Sequence, residues 1–424
     1  MSDPRQLLTG SFHAAVAAAD PLQIVAAHLP PPPKGRTLVV GAGKAAASMA
    51  RATELAWPAG AELSGLVVTR YGHGMPTERV TVVEAGHPYP DAAGEQAAQD
   101  ILRAVQELGE DDRLIALISG GGSSLLSLPA EGVSIAELRE VTKQLLNCGA
   151  PITEVNIVRK HLSRIQGGQL AALCKAPMTT LVISDVTGDD PSAIASGPTC
   201  PDPSTYQDAM DILRRNAIAL PASVQAHLDA GLRGTVPETP KPGDPVFANA
   251  DIKVIATAHQ SLQAAAQFFS ARGIAPMVLG DTVTGEASEV AKVYAALARE
   301  VRVHGQPVRP PVALISGGEC TVTVRGKGRG GRCAEFLTSL AVELDGMADT
   351  YALAADTDGI DGTEDNAGAI LTPDTPARAA AKGVSARQHL ANNDGYGFFH
   401  ALGDLLMTGP TRTNVNDYRV ILIL

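Results

Sequence analysis

The segment Thr37-Leu-Val-Val-Gly-Ala-Gly-Lys-Ala-Ala46 joins a short β-branched run to an alanine-rich stretch through two glycines. A buried strand that ends in a glycine turn and continues as a helix is typical of a βα unit. Similar apolar runs and alanine-rich stretches alternate along the rest of the chain. This alternation predicts an α/β fold, in which helices cover both faces of the sheets.

The predicted elements form two series. In the first, strands are expected at 37–40, 65–69, 80–84, 114–118 and 180–183, and helices at 44–55, 92–108, 134–147 and 154–165. In the second, strands are expected at 252–256, 275–279, 312–315, 351–354 and 419–424.

Proline density predicts where the chain divides. The segment 235–246 holds four prolines, which stiffen the chain and break regular structure. We therefore expect an N-terminal domain at 1–236, a linker at 237–250 and a C-terminal domain at 251–424. The prolines at 307–311 are a competing boundary, which would cut the second series in half.

The composition restricts the classes of partner. The chain has 424 residues, with 34 basic and 45 acidic side chains and a formal net charge of −11. Phosphate contacts to nucleic acid need a concentrated basic surface, so a nucleic-acid partner is not expected. The five cysteines lie far apart and predict neither a zinc site nor a disulfide framework. No run reaches the ~18 apolar residues of a membrane helix and no signal peptide is evident, so we expect a cytoplasmic protein without a membrane partner.

The turn Gly41–Lys44 is the first candidate binding site. Its loose G-x-G-x-x-A pattern suits a dinucleotide, but the next strand ends without an acid to hold the ribose. A Walker A loop does not fit, because Ala45 stands where a Ser or Thr would bind Mg²⁺. What remains is a helix N-terminus at which Gly43 and Lys44 favour a phosphate. A surface lysine in a tight turn is the alternative.

A strand exit with the sequence Ser-Gly-Gly occurs twice. The segment Leu117–Gly121 recurs as Leu314–Gly318, and each copy ends an apolar run. Consecutive glycines leave main-chain N–H groups free to wrap an anion, and flanking hydroxyls add donors. Ordinary strand exits are the alternative. The residues predicted here to bind substrate or nucleotide are Ser119, Gly120, Gly121, Gly122, Ser123, Ser124, Gly317 and Gly318.

Three charged loops complete the candidates. The segment 325–332 holds four cations and four glycines, and its Arg325 and Arg332 can grip phosphate or carboxylate bidentately. Acidic loops at 184–190 and 356–365 offer oxygen ligands to a hard cation such as Mg²⁺. Solvated turns are the alternative for each loop. The predicted metal ligands are Asp185, Glu319, Asp356 and Asp361, of which the last two are also candidates for a ribose.

The order of these motifs resembles the glycerate 2-kinase family over nearly the whole chain. The matching segments are 41–44, 119–124, 158–163, 167–168, 184–190, 195–199, 328–332, 357–362, 408–410 and 413–417. The last third, about residues 311–417, is similar to the MOFRL domain of that family. The resemblance implies two α/β/α domains, the first Rossmann-like, with the active site in the interdomain cleft. It also implies ATP-dependent phosphorylation of D-glycerate to 2-phosphoglycerate, with Mg²⁺ or a similar divalent cation.

The resemblance also implies residue roles. Lys44 and Arg332 are expected to be catalytic and to stabilise the transferring phosphoryl group. Asp189, or else Asp185, is expected to orient or deprotonate the 2-hydroxyl of glycerate. Asn416 lies in the final motif and is expected to contact substrate or nucleotide.

The chain departs from the family pattern at Cys333, where Asn is usual, and at Arg412, where Gly is usual. Two other functions stay open. Members of the family are often named hydroxypyruvate reductases, although hydride transfer needs a nicotinamide site, and the ribose-binding acid is missing here. A non-catalytic nucleotide-binding regulator is the other. D-glycerate and ATP are the expected small-molecule partners, and the expected assembly is a monomer or a homodimer.

Overall fold

The computed structural model describes residues 3–424, which form two compact units. One unit contains residues 21–255, and the other contains residues 256–424 together with the N-terminal segment up to Asp20.

The bounds of the elements follow the chain order. The strands are β1 (Thr37–Ala42), β2 (Leu63–Arg70), β3 (Val80–Ala85), β4 (Arg113–Ile118), β5 (Met178–Ile183), β6 (Ala250–Ala256), β7 (Ala275–Gly280), β8 (Val312–Ser316), β9 (Thr350–Asp356), β10 (Gly368–Leu371), β11 (Leu405–Leu406) and β12 (Asp417–Ile423). The helices are α1 (Pro4–Ala17), α2 (Pro21–Ile24), α3 (Ala46–Ala56), α4 (Ala92–Gln106), α5 (Gly122–Leu125), α6 (Ile135–Asn147), α7 (Ile152–His161), α8 (Gln169–Leu173), α9 (Tyr206–Arg215), α10 (Ala222–Leu232), α11 (Ala258–Ser270), α12 (Ala287–His304), α13 (Arg332–Leu344), α14 (Thr375–Ala381), α15 (Ala386–Ala391) and α16 (Gly395–Leu402). Short 3₁₀ helices lie at Val25–His28, Ile194–Ser196 and Pro245–Phe247.

The sheet of the 21–255 unit has the strand order β3-β2-β1-β4-β5-β6. Neighbouring strands from β3 to β5 run parallel. All six residues of β1 are buried, as a central strand covered on both faces requires. On one face Ala97, Ile101 and Val105 of α4 pack into the core, at the spacing of one side of a helix. The five strands predicted in this half are confirmed.

The sheet of the other unit has the order β11-β10-β9-β12-β8-β7 and is mixed. Only β7 and β8 run parallel, and the remaining neighbours are antiparallel. Because β12 is antiparallel to both of its neighbours, β8 and β9 run in the same direction. Their carboxyl ends therefore meet the amino end of β12 at one edge of the sheet.

Helices cover both faces of this mixed sheet. Leu314 packs in a core with Ala291 of α12 and Phe336 of α13. The next residue, Ile315, points to the opposite face and packs in a core with Phe12 of α1. The alternation along β8 follows from the two-residue repeat of a strand.

The predicted division of the chain differs from the observed one. The strand predicted at 252–256 exists as β6, but it closes the edge of the first sheet and does not begin the second. The units divide after Ile255, so the proline-rich segment 237–250 lies within the first unit, whereas the sequence predicts a second domain that starts at 251. The segment up to Asp20 leaves the predicted 1–236 domain, because Leu8 and Phe12 of α1 pack against the second sheet.

No helix within residues 3–424 combines the length and the apolar composition needed to span a membrane.

Candidate functional site

The carboxyl ends of β1 and β4 lie side by side in the first sheet. From β1 the chain continues to β2 and β3 on one side, whereas β4 leads to β5 on the other side. In open α/β sheets such a reversal of strand order leaves a crevice for ligands beyond the carboxyl ends of the strands. Lys44 follows β1 and Ser119–Ser124 follows β4, so the structure brings these two predicted segments together at that point.

Hydrogen bonds fix the two segments to one another. The main-chain N–H of Lys44 donates to Gly120 O at 2.9 Å, and that of Ala45 donates to Ser119 Oγ at 3.0 Å. Gly43 has a φ of +136°, and a Cβ at this position would overlap Ser119 Oγ. Position 43 therefore requires glycine, both for its backbone conformation and for the close approach of the second loop.

Two main-chain N–H groups of the glycine loop are open. Within residues 3–424 the N–H groups of Gly120 and Gly121 donate to no acceptor. A Cβ on Gly121 would lie 2.9 Å from His87 Nε2 and 3.5 Å from Lys44 Cγ, and a Cβ on Gly120 would overlap the Asp185 carboxylate. The side chains of Lys44, His87 and Asp185 therefore lie near the α-carbons of these two glycines. Peptide N–H groups beside an ammonium are suited to a phosphate.

The serines at the end of the glycine loop make contacts that hold its shape. Ser124 Oγ donates to Gly121 O at 3.2 Å. Ser123 Oγ accepts a hydrogen bond from Ser196 Oγ at 2.8 Å. Ala195 and Ser196 have φ values of +52° and +58°, which cost a non-glycine residue about 1–2 kcal/mol each. Such strain concentrates at functional sites, and here it places the Ser196 hydroxyl on the loop.

The two acids predicted after β5 differ in placement. Asp185 lies against Gly120, as described above. Asp189 lies farther along in a turn with a φ of +54°, and its N–H donates to Val186 O at 3.1 Å. In the part of the chain that the structure describes, contact with the glycine loop is seen for Asp185 and not for Asp189. The geometry favours Asp185 as the acid beside the loop.

Arg332, the first residue of α13, contacts three carboxylates. Its Nη2 pairs with Asp356 Oδ2 at 2.7 Å, and its Nε pairs with Asp417 Oδ1 at 2.7 Å. Its Nη1 pairs with Glu319 Oε1 at 3.2 Å. Burial lowers the pKa of Arg332, but the three carboxylates outweigh burial, so that the pKa is raised above its ordinary value. Arg332 is therefore always charged, and each nitrogen of its guanidinium faces an acid.

Arg419 in β12 extends this cluster into the core. It is 1% exposed, and its Nη2 donates to Asp417 Oδ2 at 2.6 Å. Its Nη1 donates to Gly317 O at 3.0 Å, while the Gly317 N–H donates to Gly280 O at 2.8 Å. The prediction that Gly317 offers its N–H to a phosphate is therefore corrected, because pairing with β7 already uses that group. Gly318 O likewise accepts from the N–H of Asp417 at 3.2 Å.

Asp361 caps α13. It is fully buried, and its two carboxylate oxygens accept from the N–H groups of Cys333 at 3.0 Å and Ala334 at 2.8 Å. Burial raises the pKa of Asp361 to about 6, although these hydrogen bonds oppose the shift. A carboxylate at a helix N-terminus is stabilised by the helix dipole. Asp361 therefore has a structural role as the cap of α13, and its role as a metal ligand stays a prediction of the sequence.

Asn416 stands at the entrance of β12 with a φ of +66° and is 7% exposed. Its carbonyl accepts from Thr357 N at 3.1 Å and from Thr357 Oγ1 at 2.6 Å. Asn416 thus fixes the loop that follows β9 against the start of β12, one residue before Asp417.

Residues 392–394 support the basic loop 325–331. Arg325 N donates to Asn393 Oδ1 at 2.7 Å, and the Arg329 guanidinium pairs with Glu364. Arg325 lines a cavity of about 660 Å³, and Arg332 lines a cavity of about 230 Å³. Both cavities share Asn393 and the buried Glu335 as lining residues.

The predicted metal ligands come from both units. Asp185 belongs to the 21–255 unit, whereas Glu319 and Asp356 belong to the other unit. Among residues 3–424 no three His, Cys, Asp or Glu side chains are arranged to hold a metal ion. Mg²⁺ usually takes one or two carboxylates, several waters and substrate phosphates. Glu319 and Asp356, which share Arg332, fit such a partial set.

Sequence reasoning missed Glu335, whose carboxyl group lies on the wall of the Arg332 cavity. Glu335 is 4% exposed, and its Oε1 accepts from Asn393 Nδ2 at 3.0 Å. Burial raises the pKa of Glu335 to about 7 from 4.5, while the Asn393 hydrogen bond opposes the shift. The carboxyl group therefore changes charge near neutral pH.

We expect Glu335→Gln to stabilise the protein at pH 8 and to have no effect at pH 4.5. The folded pKa is raised, so the stability that neutral Glu335 contributes is fully present below pH 4.5 and is lost as the pH rises through about 7. Gln resembles the neutral acid at every pH, which gives a gain of about 1–3 kcal/mol at pH 8. Thermal unfolding of both proteins at each pH measures the difference. The exposed Glu300→Gln is the control, and a gain that does not depend on pH contradicts the prediction.

The two units define the class: an α/β protein in which a lysine-bearing glycine loop lies at the carboxyl ends of the strands of the first sheet. Residues 7–229 match the family described as "Domain of unknown function (DUF4147)", and residues 312–417 match the MOFRL family. The chain belongs to the glycerate kinase family, and it is an enzyme of this kind. The motif resemblance is thereby confirmed.

The relatives carry two kinds of name. Glycerate 2-kinase of Pyrococcus horikoshii is 40% identical over 92% of this chain and 88% of its own. The crystal structure of glycerate kinase from Thermotoga maritima has a TM-score of 0.88 at 37% identity and covers 99% of each chain. A protein of Agrobacterium vitis called putative hydroxypyruvate reductase is 50% identical over 99% of this chain and 94% of its own.

Proposed function

We propose that this enzyme transfers the γ-phosphoryl group of ATP to the 2-hydroxyl of D-glycerate, which gives 2-phosphoglycerate. The observation that carries the proposal is the position of Lys44 beside the open amides of Gly120 and Gly121, where the strand order of the first sheet reverses. The similarity to proteins named glycerate kinases supports the substrate.

Phosphoryl transfer asks a protein mainly for positioning and for neutralisation of charge. In this proposal Lys44 and the amides of Gly120 and Gly121 hold the oxygens of the transferring group. Asp185 lies against the same loop and accepts the proton of the 2-hydroxyl, in preference to Asp189. General-base catalysis requires hydrogen-bond reach of the reacting hydroxyl, and the contact of Asp185 with the glycine loop supports Asp185 for this role.

The carboxylate partners of Arg332 limit its ability to bind a phosphoryl group. Its three carboxylate partners neutralise it, so it reaches a phosphoryl oxygen only by giving up one of them. Glu319 is the partner that it releases most easily, because the Glu319 side chain is 56% exposed and exposed pairs are weak. Arg332 then stabilises transition-state charge while Asp356 and Asp417 keep it in place.

Mg²⁺ fits the same region of the second unit. Two guanidinium groups face three carboxylates there, so the cluster around Arg332 has an excess of acid that suits a hard cation. Asp356 and Glu319 are the residues that would hold the ion. When bound, Mg²⁺ supplies charge neutralisation to the phosphates of ATP.

The strand order of the first sheet is that of Rossmann-like domains, and this supports the Rossmann-like character that the resemblance implies. A cytoplasmic location and a monomeric or homodimeric state stay predictions of the sequence.

A coupled assay tests the proposed reaction. The full-length protein is incubated with ATP, Mg²⁺ and D-glycerate, and enolase is added without phosphoglycerate mutase. Phosphoenolpyruvate forms if the product is 2-phosphoglycerate, because enolase uses that isomer directly. If ATP is consumed but phosphoenolpyruvate forms only after phosphoglycerate mutase is added, the product is 3-phosphoglycerate and the proposal is contradicted. A lack of ATP consumption also contradicts the proposal.

A hydroxypyruvate reductase is the second candidate, because the relative at 50% identity has that name. The site gives it no support: β2 ends in Thr69-Arg70, so the acid that would bind the ribose of a nicotinamide cofactor is absent from that strand end. Oxidation of NADH or NADPH by hydroxypyruvate in the presence of the protein would favour this candidate over the kinase.

A further inference from the structure

Arg159 is a buried cation without an acidic partner. It lies on α7 and is 8% exposed. Within residues 3–424 its guanidinium donates one hydrogen bond, from Nη1 to Asn156 Oδ1 at 3.3 Å, and it forms no ion pair. Burial lowers the pKa of Arg159 to about 10, and no carboxylate opposes this shift. The neighbouring Lys160, in contrast, pairs with Asp202 at 3.3 Å.

A charge buried in this way is costly unless an opposite charge meets it. The cost falls when an anion binds, and a guanidinium with free donors grips a carboxylate or phosphate bidentately. The nitrogens of Arg159 that lack partners are not among the sealed polar atoms of the structure, so they keep contact with solvent. A small anion can therefore reach them.

Two hydrogen bonds connect Arg159 to the loop that holds Ser196. Asn156, which accepts from Arg159, donates through Nδ2 to Ala193 O at 3.3 Å. Ser196 N donates to the same carbonyl at 3.3 Å. Ser196 Oγ then donates to Ser123 Oγ at 2.8 Å, in the glycine loop beside Lys44. The Arg159 guanidinium therefore lies at the same end of the first sheet as the open amides. The proposed reaction assigns no other role to the motif at 158–163.

We propose that Arg159 binds the carboxylate of the hydroxy-acid substrate and thereby selects an acid over a neutral polyol. This inference rests on the proposed function, and it divides the anionic groups of the reaction between two sets of residues. Lys44 and the amides of Gly120 and Gly121 receive phosphate, and the planar fork of Arg159 receives the carboxylate.

Kinetics of Arg159→Gln and Arg159→Lys test the proposal. We expect the KM for D-glycerate to rise about 10- to 100-fold in the Gln variant, as loss of a charge-assisted hydrogen-bonded pair predicts. The KM for ATP is expected to stay within twofold. The Lys variant keeps the charge but loses the fork, so its KM for D-glycerate lies between the wild type and the Gln variant. Arg214→Gln, an exposed arginine of the same unit, is the matched control and leaves both KM values unchanged.

A binding measurement separates this proposal from the proposed function. Ligands that bind the folded state raise the melting temperature, whether or not catalysis occurs. D-glycerate without ATP is expected to raise the melting temperature of the wild type and of Arg214→Gln but not of Arg159→Gln. If the wild type lacks kinase activity yet shows this pattern, the proposed reaction fails and carboxylate binding stands.

Two outcomes overturn the proposal. One is an unchanged KM for D-glycerate in Arg159→Lys. This measurement tests the proposal even if Arg159→Gln fails to fold. The other is a rise in the KM for ATP in place of that for D-glycerate, which would assign Arg159 to the nucleotide phosphates.

Discussion

Lys44→Ala is expected to lower kcat for D-glycerate phosphorylation by about 10²- to 10³-fold, because it removes the cation beside the open amides where charge develops in the transition state. The fold is expected to persist, since the main-chain hydrogen bond from Lys44 N–H to Gly120 O that joins the loops remains in the variant. Steady-state rates in the enolase-coupled assay measure the loss, and circular dichroism checks the fold.

Lys175→Ala is the matched control for this variant. Lys175 is an exposed lysine of the same unit, so its removal changes the net charge equally without touching the glycine loop. Its kcat is expected to equal that of the wild type. A Lys44→Ala enzyme with more than a tenth of wild-type kcat would show that another group neutralises the phosphoryl oxygens.

The predictable part of the first sheet depends on local patterns. The strand Thr37–Ala42 is a β-branched run that leads into a glycine turn, and both the strand and the helix after the turn are readable from a single segment. The sequence predicts that the loop with Lys44 and the loop with Ser119 and Gly120 each follow a strand, but it does not predict that the two loops contact each other. Their direct hydrogen bonds depend on β1 and β4 being neighbours, which no local pattern encodes.

The parts of the fold that the sequence does not predict depend on pairing between strands that lie far apart in the chain. β6 looks like the first strand of a second series, and only sheet membership shows that it completes the first. β10 and β11 contain four and two residues, too few for a periodic pattern. Arg419 interrupts an apolar strand, and its role becomes visible only when β12 sets Asp417 opposite Asp356.

The partners of buried charged residues are also not visible in the sequence. Arg159 lies in a motif of the sequence, but its lack of an acidic partner among residues 3–424 is a property of the folded core. The acidic loop predicts Asp361 as a metal or ribose ligand, and the sequence does not show that its two oxygens cap α13. The sequence indicates which side chains could bind a ligand or a metal ion. Their burial and their hydrogen-bond partners in the fold determine the role of each one.

Arg332→Met is expected to destabilise the unit that contains the MOFRL region by about 3–5 kcal/mol, the usual cost of breaking a buried ion pair by removing one partner. The side chains of Asp356 and Asp417 are 3% and 0% exposed, so neither can recover its lost interaction from water. Because the chain has two units, a single unfolding free energy is not well defined. Hydrogen exchange of peptides from β9 and α13 reports the local change.

A double variant makes this prediction specific to the ion pair. Adding Asp356→Asn to Arg332→Met removes the stranded charge, so exchange protection is expected to recover in part, as it does when both members of a buried pair are replaced. Arg309→Met, an exposed arginine of the same unit, is the control and leaves protection unchanged. Glu319→Gln is also expected to change protection little, because its pair with Arg332 is partly exposed. Equal protection in Arg332→Met and the wild type would mean that Arg419 alone balances Asp417 and that Asp356 needs no cation, and the cluster would then no longer account for the position of Arg332.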